Sequence, residues 1–369
     1  MTTPQGTTSL PAELESGLKE SQLAGLDSLR AIAALLVVIS HFGIPFVSGG
    51  AGVLMFFVLS GFLITWLLLR ENDEIGTVSL RNFYMRRSLR IFPAFYCYAA
   101  VLFAVVLIRH TTIVWPQAFA ALFYVNNYYQ ALKGDPNTGF SHTWSLAVEE
   151  QFYVLWPLTF LLLRQNYRRM SQVLVAAILV IWVYRAALVF LFDVHEGYIY
   201  EAFDTRADHL LIGCLLAVAL RIGLVPQFWN WISVRSWVAL LIAGLLALSS
   251  AAEFIYGPVY RDRISFIVTP LLTAVWITQL IALRGAPLWS WTSWGWVRYL
   301  GRISYSIYLY QQLTVAVPKK LLPGQPIVVQ LAATIALTVA VASVSHFFVE
   351  RPFLRLKTRF QRVVAGAVP

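Results

Sequence analysis

The chain has 369 residues, 59% of them hydrophobic and only 12% charged, with a mean hydropathy of +0.67. A water-soluble domain cannot hide that much apolar surface, so the composition excludes a soluble globular enzyme and predicts a polytopic membrane protein. The formal net charge of +10 lies mainly beside apolar segments, where it reads as orienting loop charge and not as a nucleic-acid footprint.

Residues 1–24 are polar, carry Glu13, Glu15, Lys19 and Glu20, show no cleavable leader, and are expected to form a cytoplasmic tail. Apolar runs of spanning length follow near 26–46, 52–69, 91–108, 144–163, 172–192, 207–220, 236–252, 264–283, 299–317 and 327–349. They predict an all-α bundle of about ten transmembrane helices across residues 25–353. Residues 113–130, with Asn126 and Asn127, suit an interfacial or re-entrant piece better than a further span. Residues 354–369 form a basic tail suited to anionic lipid headgroups. Arg70, Arg81, Arg86, Arg87, Arg90, Arg164, Arg168, Arg169, Arg221, Arg235, Arg284, Arg298, Arg302, Arg351, Arg355, Arg359 and Arg362 fall on one side if the N-terminus is inside. That asymmetry predicts both termini in the cytoplasm. Cys97 and Cys214 sit in separate apolar segments without metal-ligand spacing, as small packing residues do. No internal repeat supports an inverted-repeat transporter plan.

Three stretches carry ionisable groups inside or beside spans, where such groups are costly and usually mark function. The first, residues 25–45, holds Asp27, Arg30 and His41. Eleven positions separate Arg30 from His41, about 1100° of helical turn, so both are predicted on one stripe about 16 Å apart. Asp27 lies one turn before Arg30 and is placed to pair with it. The second stretch brings Trp144, Ser145 and Glu149 into the fourth span, and the third brings Asp204, Arg206 and Asp208 into the sixth. Both enter from the side where His41 is expected, so the three are predicted at similar depth. A histidine beside a carboxylate acts as a general base, and a guanidinium stabilises a developing oxyanion. Plainer readings stand beside these: His41 as a helix–helix hydrogen-bonding group, Glu149 as a helix-entrance cap, and Asp204, Arg206 and Asp208 as a mutual clasp. His142 and His209 read as boundary histidines in water, and no helical His-x-x-x-His spacing favours a metal site. On the inner side, Arg86, Arg87 and Arg90 serve either orientation alone or as an anion site for phosphates.

The fragments GLDSLRAIAALLVVISHF, FFVLSGFLI, FYMRRSLRIFPAFY, HTWSLAVEEQFYVLWP, DTRADHLLIGCLLA, LGRISYSIYLYQ and FVERPF resemble, in this order, the family 3 membrane acyltransferases of bacteria. The resemblance runs from Gly25 to about Phe353 and corresponds to a stand-alone form without a fused hydrolase-like domain. It implies a multi-pass plasma-membrane enzyme moving an acyl group, commonly acetyl from acetyl-CoA, to a hydroxyl of a glycan acceptor. It further implies an essential histidine at His41, paired with Arg30 in an Arg-x10-His signature. Arg87 and Arg90 match its Arg-x-x-Arg donor signature, and Glu149 and the Asp204, Arg206, Asp208 stretch match other characteristic positions. Many members carry Trp-His where this chain has Tyr310 and Gln311, which leaves the role of Gln311 open.

The expected reaction starts with acyl-CoA docking from the cytoplasm, its phosphates on Arg87, Arg90 and Arg86. His41, oriented by Glu149, then deprotonates the acceptor hydroxyl or carries the acyl group itself. The expected partners are acyl-CoA, a glycan that is free or lipid-linked, and membrane lipid, with no metal and no nucleic acid. The rival class is a transporter or lipid-linked glycan flippase, since polar residues in a bundle also suit a conduction path.

Overall fold

The computed structural model describes residues 10–20, 23, 25–192, 194–283, 285–357 and 360. Every regular element among them is helical. In chain order these are α1 (Ala12–Lys19), α2 (Gly25–Ser40), α3 (Gly49–Ile75), α4 (Leu80–Ile108), α5 (Trp115–Leu122), α6 (Asn126–Lys133), α7 (Trp144–Leu163), α8 (Tyr167–Phe190), α9 (Glu196–Glu201) and α10 (Phe203–Ile222). Then come α11 (Pro226–Ser233), α12 (Trp237–Tyr256), α13 (Pro258–Tyr260), α14 (Phe266–Ala282), α15 (Gly295–Arg302), α16 (Ser304–Thr314), α17 (Ala316–Leu321), α18 (Ile327–Ser345) and α19 (Arg351–Lys357). The predicted loop arginines Arg284, Arg359 and Arg362 lie outside the described residues, as does most of the basic tail.

Seven described helices are long and apolar enough to cross a membrane: α3, α4, Ser141–Leu163, α8, α12, Pro258–Ala282 and Ile327–Leu356. Glu196–Ile222 with Pro226–Ser233, bent by 100°, makes an eighth if the pair is one span. The expected count of ten differs because two of its segments are short or broken. The segment at 299–317 divides into α15, α16 and α17, and α2 has only 16 residues. Sixteen residues reach about 24 Å, short of a hydrocarbon core of about 30 Å. The 113–130 region forms α5 and α6, eight residues each and too short to span.

α2 stops at Ser40 for a local reason. Phe42 and Gly43 bond back to Ile39 and Ser40 in four-residue turns, Gly43 takes φ 61°, and Pro45 follows without an amide hydrogen. Its successor starts where Ser48 caps Ala51.

α3 is the inner rod, with 78% of its most apolar window buried inside the molecule. α4, α8, α12 and the last span are peripheral, and side chains such as Val183, Leu248 and Phe348 point outward, 71%, 65% and 78% exposed. Such a surface needs lipid around it. α3 lies against α10 with the two backbones nearly touching. A methyl added at Gly61 would overlap the Leu210 carbonyl, and one at Gly213 the Val58 carbonyl. Small residues at such crossings let helices associate where no hydrophobic effect drives them together. Both described ends of the chain meet the same end of this bundle: Arg70 Nη1 donates to the Glu20 carbonyl and Arg86 Nη1 to the Phe360 carbonyl.

Candidate active site

A cavity of about 190 Å³ lies between α2, α3, α4, α7 and α16. Each helix supplies one stripe at helical spacing. α3 gives Val53, Phe56, Phe57, Ser60, Leu63 and Leu67; α4 gives Phe83, Arg86, Arg87, Arg90 and Ile91. α7 contributes Ser145, Leu146, Glu149, Glu150 and Tyr153, α16 contributes Ser304, Tyr305 and Tyr308, and α2 contributes Arg30. The walls are therefore mainly apolar, with a handful of charged groups converging on the hollow.

The four arginines are held differently. Arg30 pairs with Asp27 at 2.9 Å, as their spacing predicts. Arg86 is committed elsewhere: Glu71 takes one nitrogen at 2.9 Å and the Phe360 carbonyl another at 2.9 Å. Its charge is thus shared with Glu71, while its side chain still lines the cavity beside Arg87 and Arg90. Arg87 stacks on Tyr153 at 4.8 Å, and neither it nor Arg90 forms an ion pair among the described residues. Glu149 Oε1 accepts from Ser60 Oγ at 2.7 Å, deep in the wall.

The end of the cavity away from Arg86 is closed by hydroxyls. Ser145 Oγ and Tyr308 Oη lie 2.5 Å apart, and both approach the His142 carbonyl, at 3.2 and 3.0 Å. The His142 ring is buried between Tyr98 and Tyr308, and neither ring nitrogen finds a hydrogen-bond partner. His142 is thus no boundary histidine in water. Gln311 continues the α16 stripe of Ser304 and Tyr308, is fully buried, and leaves both amide atoms without a partner.

His41 is not where the stripe argument puts it. The helix has ended at Ser40, so His41 stands exposed in the following turn and does not line the cavity. Its carbonyl accepts from Lys319 Nζ at 2.7 Å. Glu149 forms no pair with it, being turned toward Ser60 on the arginine side.

The third stretch also departs from expectation. Asp204 accepts from Tyr128 and Tyr198, both at 2.9 Å, while Asp208 is bound by Arg185 at 3.0 Å and Trp182 at 2.9 Å. Arg206 pairs with neither, because two positions along a helix turn its side chain to the other face. Trp144 forms part of its surroundings instead of the cavity wall, with its ring 5.6 Å from the guanidinium. His209 Nε2 is buried against the Phe266 carbonyl at 2.9 Å. Among the described residues no three His, Cys, Asp or Glu side chains converge on a point where a metal ion would bind.

A family model described as an acyltransferase domain matches residues 23–346, nearly the whole chain. The chain belongs to the family 3 acyltransferases. Relatives of this acyltransferase include the O-acetyltransferase OatA of Staphylococcus aureus, 34% identical over 372 residues, covering 92% of this chain and 58% of the relative. A Bacillus subtilis protein, provisionally named peptidoglycan O-acetyltransferase YrhL, is 31% identical over 357 residues, 89% of this chain and 54% of its own length. The chain thus spans a little over half the length of the curated relatives it matches. No solved structure matches it at a significant level.

In this acyltransferase, Ser60, Tyr153 and Tyr308 line the cavity without having been picked out by sequence. Ser60 did leave a signal, being the only polar side chain between Gly52 and Ile64. The two tyrosines left none, since aromatic residues are common throughout the chain.

Proposed function

We propose that this chain is a membrane O-acyltransferase that takes an acyl group, acetyl in the simplest case, from acyl-CoA and transfers it to a hydroxyl of a glycan acceptor, free or lipid-linked. The observation carrying this reading is one cavity lined by Arg30, Arg87 and Arg90 that ends at the Ser145 and Tyr308 hydroxyls. Arg87 and Arg90, being without ion pairs, suit the phosphates of coenzyme A, which guanidinium forks bind in bidentate fashion. Arg30, steadied by Asp27, adds charge beside them. The apolar wall of Val53, Phe56, Phe57 and Leu63 suits the pantetheine arm. On this reading the donor end faces the cytoplasm of a bacterial plasma membrane, both termini lie there too, and α2, α10 and the α15–α17 segment complete about ten membrane-embedded elements. The names of the relatives favour acetyl as the group, and that of the Bacillus subtilis relative favours a peptidoglycan-type glycan as the acceptor.

The transfer requires one proton to leave the acceptor hydroxyl as its oxygen attacks the thioester carbonyl. The C–O bond forms, the C–S bond breaks, and the coenzyme A thiolate takes up a proton. His41, exposed at the end of the bundle remote from Arg86, is the base for that hydroxyl. The thioester reaches it past Ser145 and Tyr308, whose hydroxyls can donate to its carbonyl oxygen as charge develops there. Radiolabelled acetyl-CoA supplied to membranes containing the protein tests this. Wild type should move label into the glycan fraction, and His41→Ala should lower the rate by about 10²–10⁴-fold while leaving coenzyme A binding unchanged. Near wild-type transfer by His41→Ala would remove the histidine from the mechanism.

A further inference from the structure

Among the described residues, the least satisfied polar side chain is Arg206. It is 0% exposed, and Nε, Nη1 and Nη2 all lack a hydrogen-bond partner. Four rings enclose it: Phe266 at 3.9 Å, Tyr200 at 5.1 Å, Trp144 at 5.6 Å and Phe57 at 5.9 Å. Aromatic faces attract a guanidinium, but they satisfy none of its five N–H donors, and a buried ion without hydrogen bonds is costly.

The neighbouring charges are already engaged. Asp208 holds Arg185, while Asp262 at 2.8 Å and Glu196 at 2.7 Å hold Arg261. Glu253 is near enough to sense Arg206, yet its carboxylate accepts from Ser265 at 3.4 Å. Three features point outward from the cage. Tyr200, its one half-exposed wall, has Arg261 over its ring at 4.6 Å. The Tyr200 hydroxyl, Ser48 Oγ and Glu253 Oε1 meet over Gly50, at 3.3, 3.4 and 3.5 Å from where a side-chain carbon there would stand, at the first turn of α3. That turn is some 25 residues from the Arg86 end, about 38 Å along the rod. Phe57, the fourth wall, also lines the donor cavity.

We propose that Arg206 receives an anionic substituent of the acceptor, a carboxylate or a phosphate, which enters past Tyr200 on the side of the bundle remote from the donor arginines. The inference rests on the acyl-transfer reading and narrows its acceptor to charged glycans. Displacement of the Tyr200 ring admits the anion, the guanidinium fork takes two of its oxygens, and Phe57 separates it by one ring from the thioester arm. Arg261 stands at the entrance, and Glu253 beside it repels an incoming anion.

The test uses the full chain in detergent micelles with saturating coenzyme A, so that Arg87 and Arg90 are already filled. Thermal shift is titrated with methyl glucuronide, methyl glucoside 6-phosphate and neutral methyl glucoside. Wild type should respond to at least one of the anionic sugars at concentrations at least tenfold below those needed for the neutral one, and the two anions rank carboxylate against phosphate. Arg206→Gln should abolish the preference. Glu253→Gln, which keeps the fold's ion pairs, should strengthen it severalfold. Equal responses to all three sugars, no response to either anion, a preference kept in Arg206→Gln, or one weakened in Glu253→Gln would each overturn the inference. Should Arg206→Gln not fold, Glu253→Gln decides alone. The shift produced by coenzyme A itself, and its loss in Arg87→Ala with Arg90→Ala, reports separately on the donor reading.

Discussion

Arg87 and Arg90 owe their availability to the residues around them. Arg86, one position before, is bound by Glu71 and a main-chain carbonyl, whereas Arg87 lies flat on Tyr153 with its donors uncommitted. Charge-assisted hydrogen bonds to phosphate are worth about 1.5–3 kcal/mol each, so losing both side chains should weaken the donor by about 10²-fold or more. Isothermal titration of coenzyme A against Arg87→Ala with Arg90→Ala checks this, with Arg86→Ala expected to change affinity far less. The Asp27–Arg30 pair was legible in advance because it depends on spacing within one helix. The position of His41 was not, because a single glycine at positive φ and a proline two residues on ended α2 before the eleventh step was complete. Arg206 was misjudged for a related reason, since its sequence neighbours Asp204 and Asp208 found tyrosine, tryptophan and arginine partners from other helices.

α3 is the element on which the site depends, since its stripe faces the cavity while its opposite side meets α10. The crossing leaves no room for a side chain at Gly61, whose absent methyl would collide with backbone that cannot move aside. Gly61→Val should destabilise the protein by about 1–3 kcal/mol or prevent assembly, read as a lower unfolding midpoint in detergent. Gly244→Ala on peripheral α12, where nothing lies within 4 Å, should be neutral or stabilising by up to about 1 kcal/mol. Hydropathy found most of these elements correctly, because long apolar runs are unambiguous. It treated as one helix a run of suitable composition that turns break into shorter pieces, as at α15 to α17. It also carried no information on which faces meet, so the pairing of Ser60 with Glu149 across 89 positions was invisible.

For the molecule as a whole, the contacts of Glu20 and Phe360 put both described ends of the chain beside the same end of α3 and α4. Lys19 and the exposed Leu321 then belong to opposite ends, the latter being next to the Lys319 contact with His41. A membrane-impermeant maleimide should label Leu321→Cys on intact cells and Lys19→Cys only after permeabilisation. The reverse pattern would turn the proposed donor entrance away from the cytoplasm. The one-sided distribution of arginines predicts the first pattern, through a bias that acts during insertion and needs no tertiary contact.

The wall formed by Ser145, Tyr308 and the His142 carbonyl, backed by the Tyr98 and Tyr310 rings, has a meaning for cell energetics. If the hollow takes in a nucleotide donor from one compartment, as proposed above, it needs a barrier toward the other, because an open path would short-circuit the ion gradient across the membrane. Mutually bonded hydroxyls close that end with polar groups that already satisfy one another, so a group passing between them must replace the hydrogen bonds it breaks.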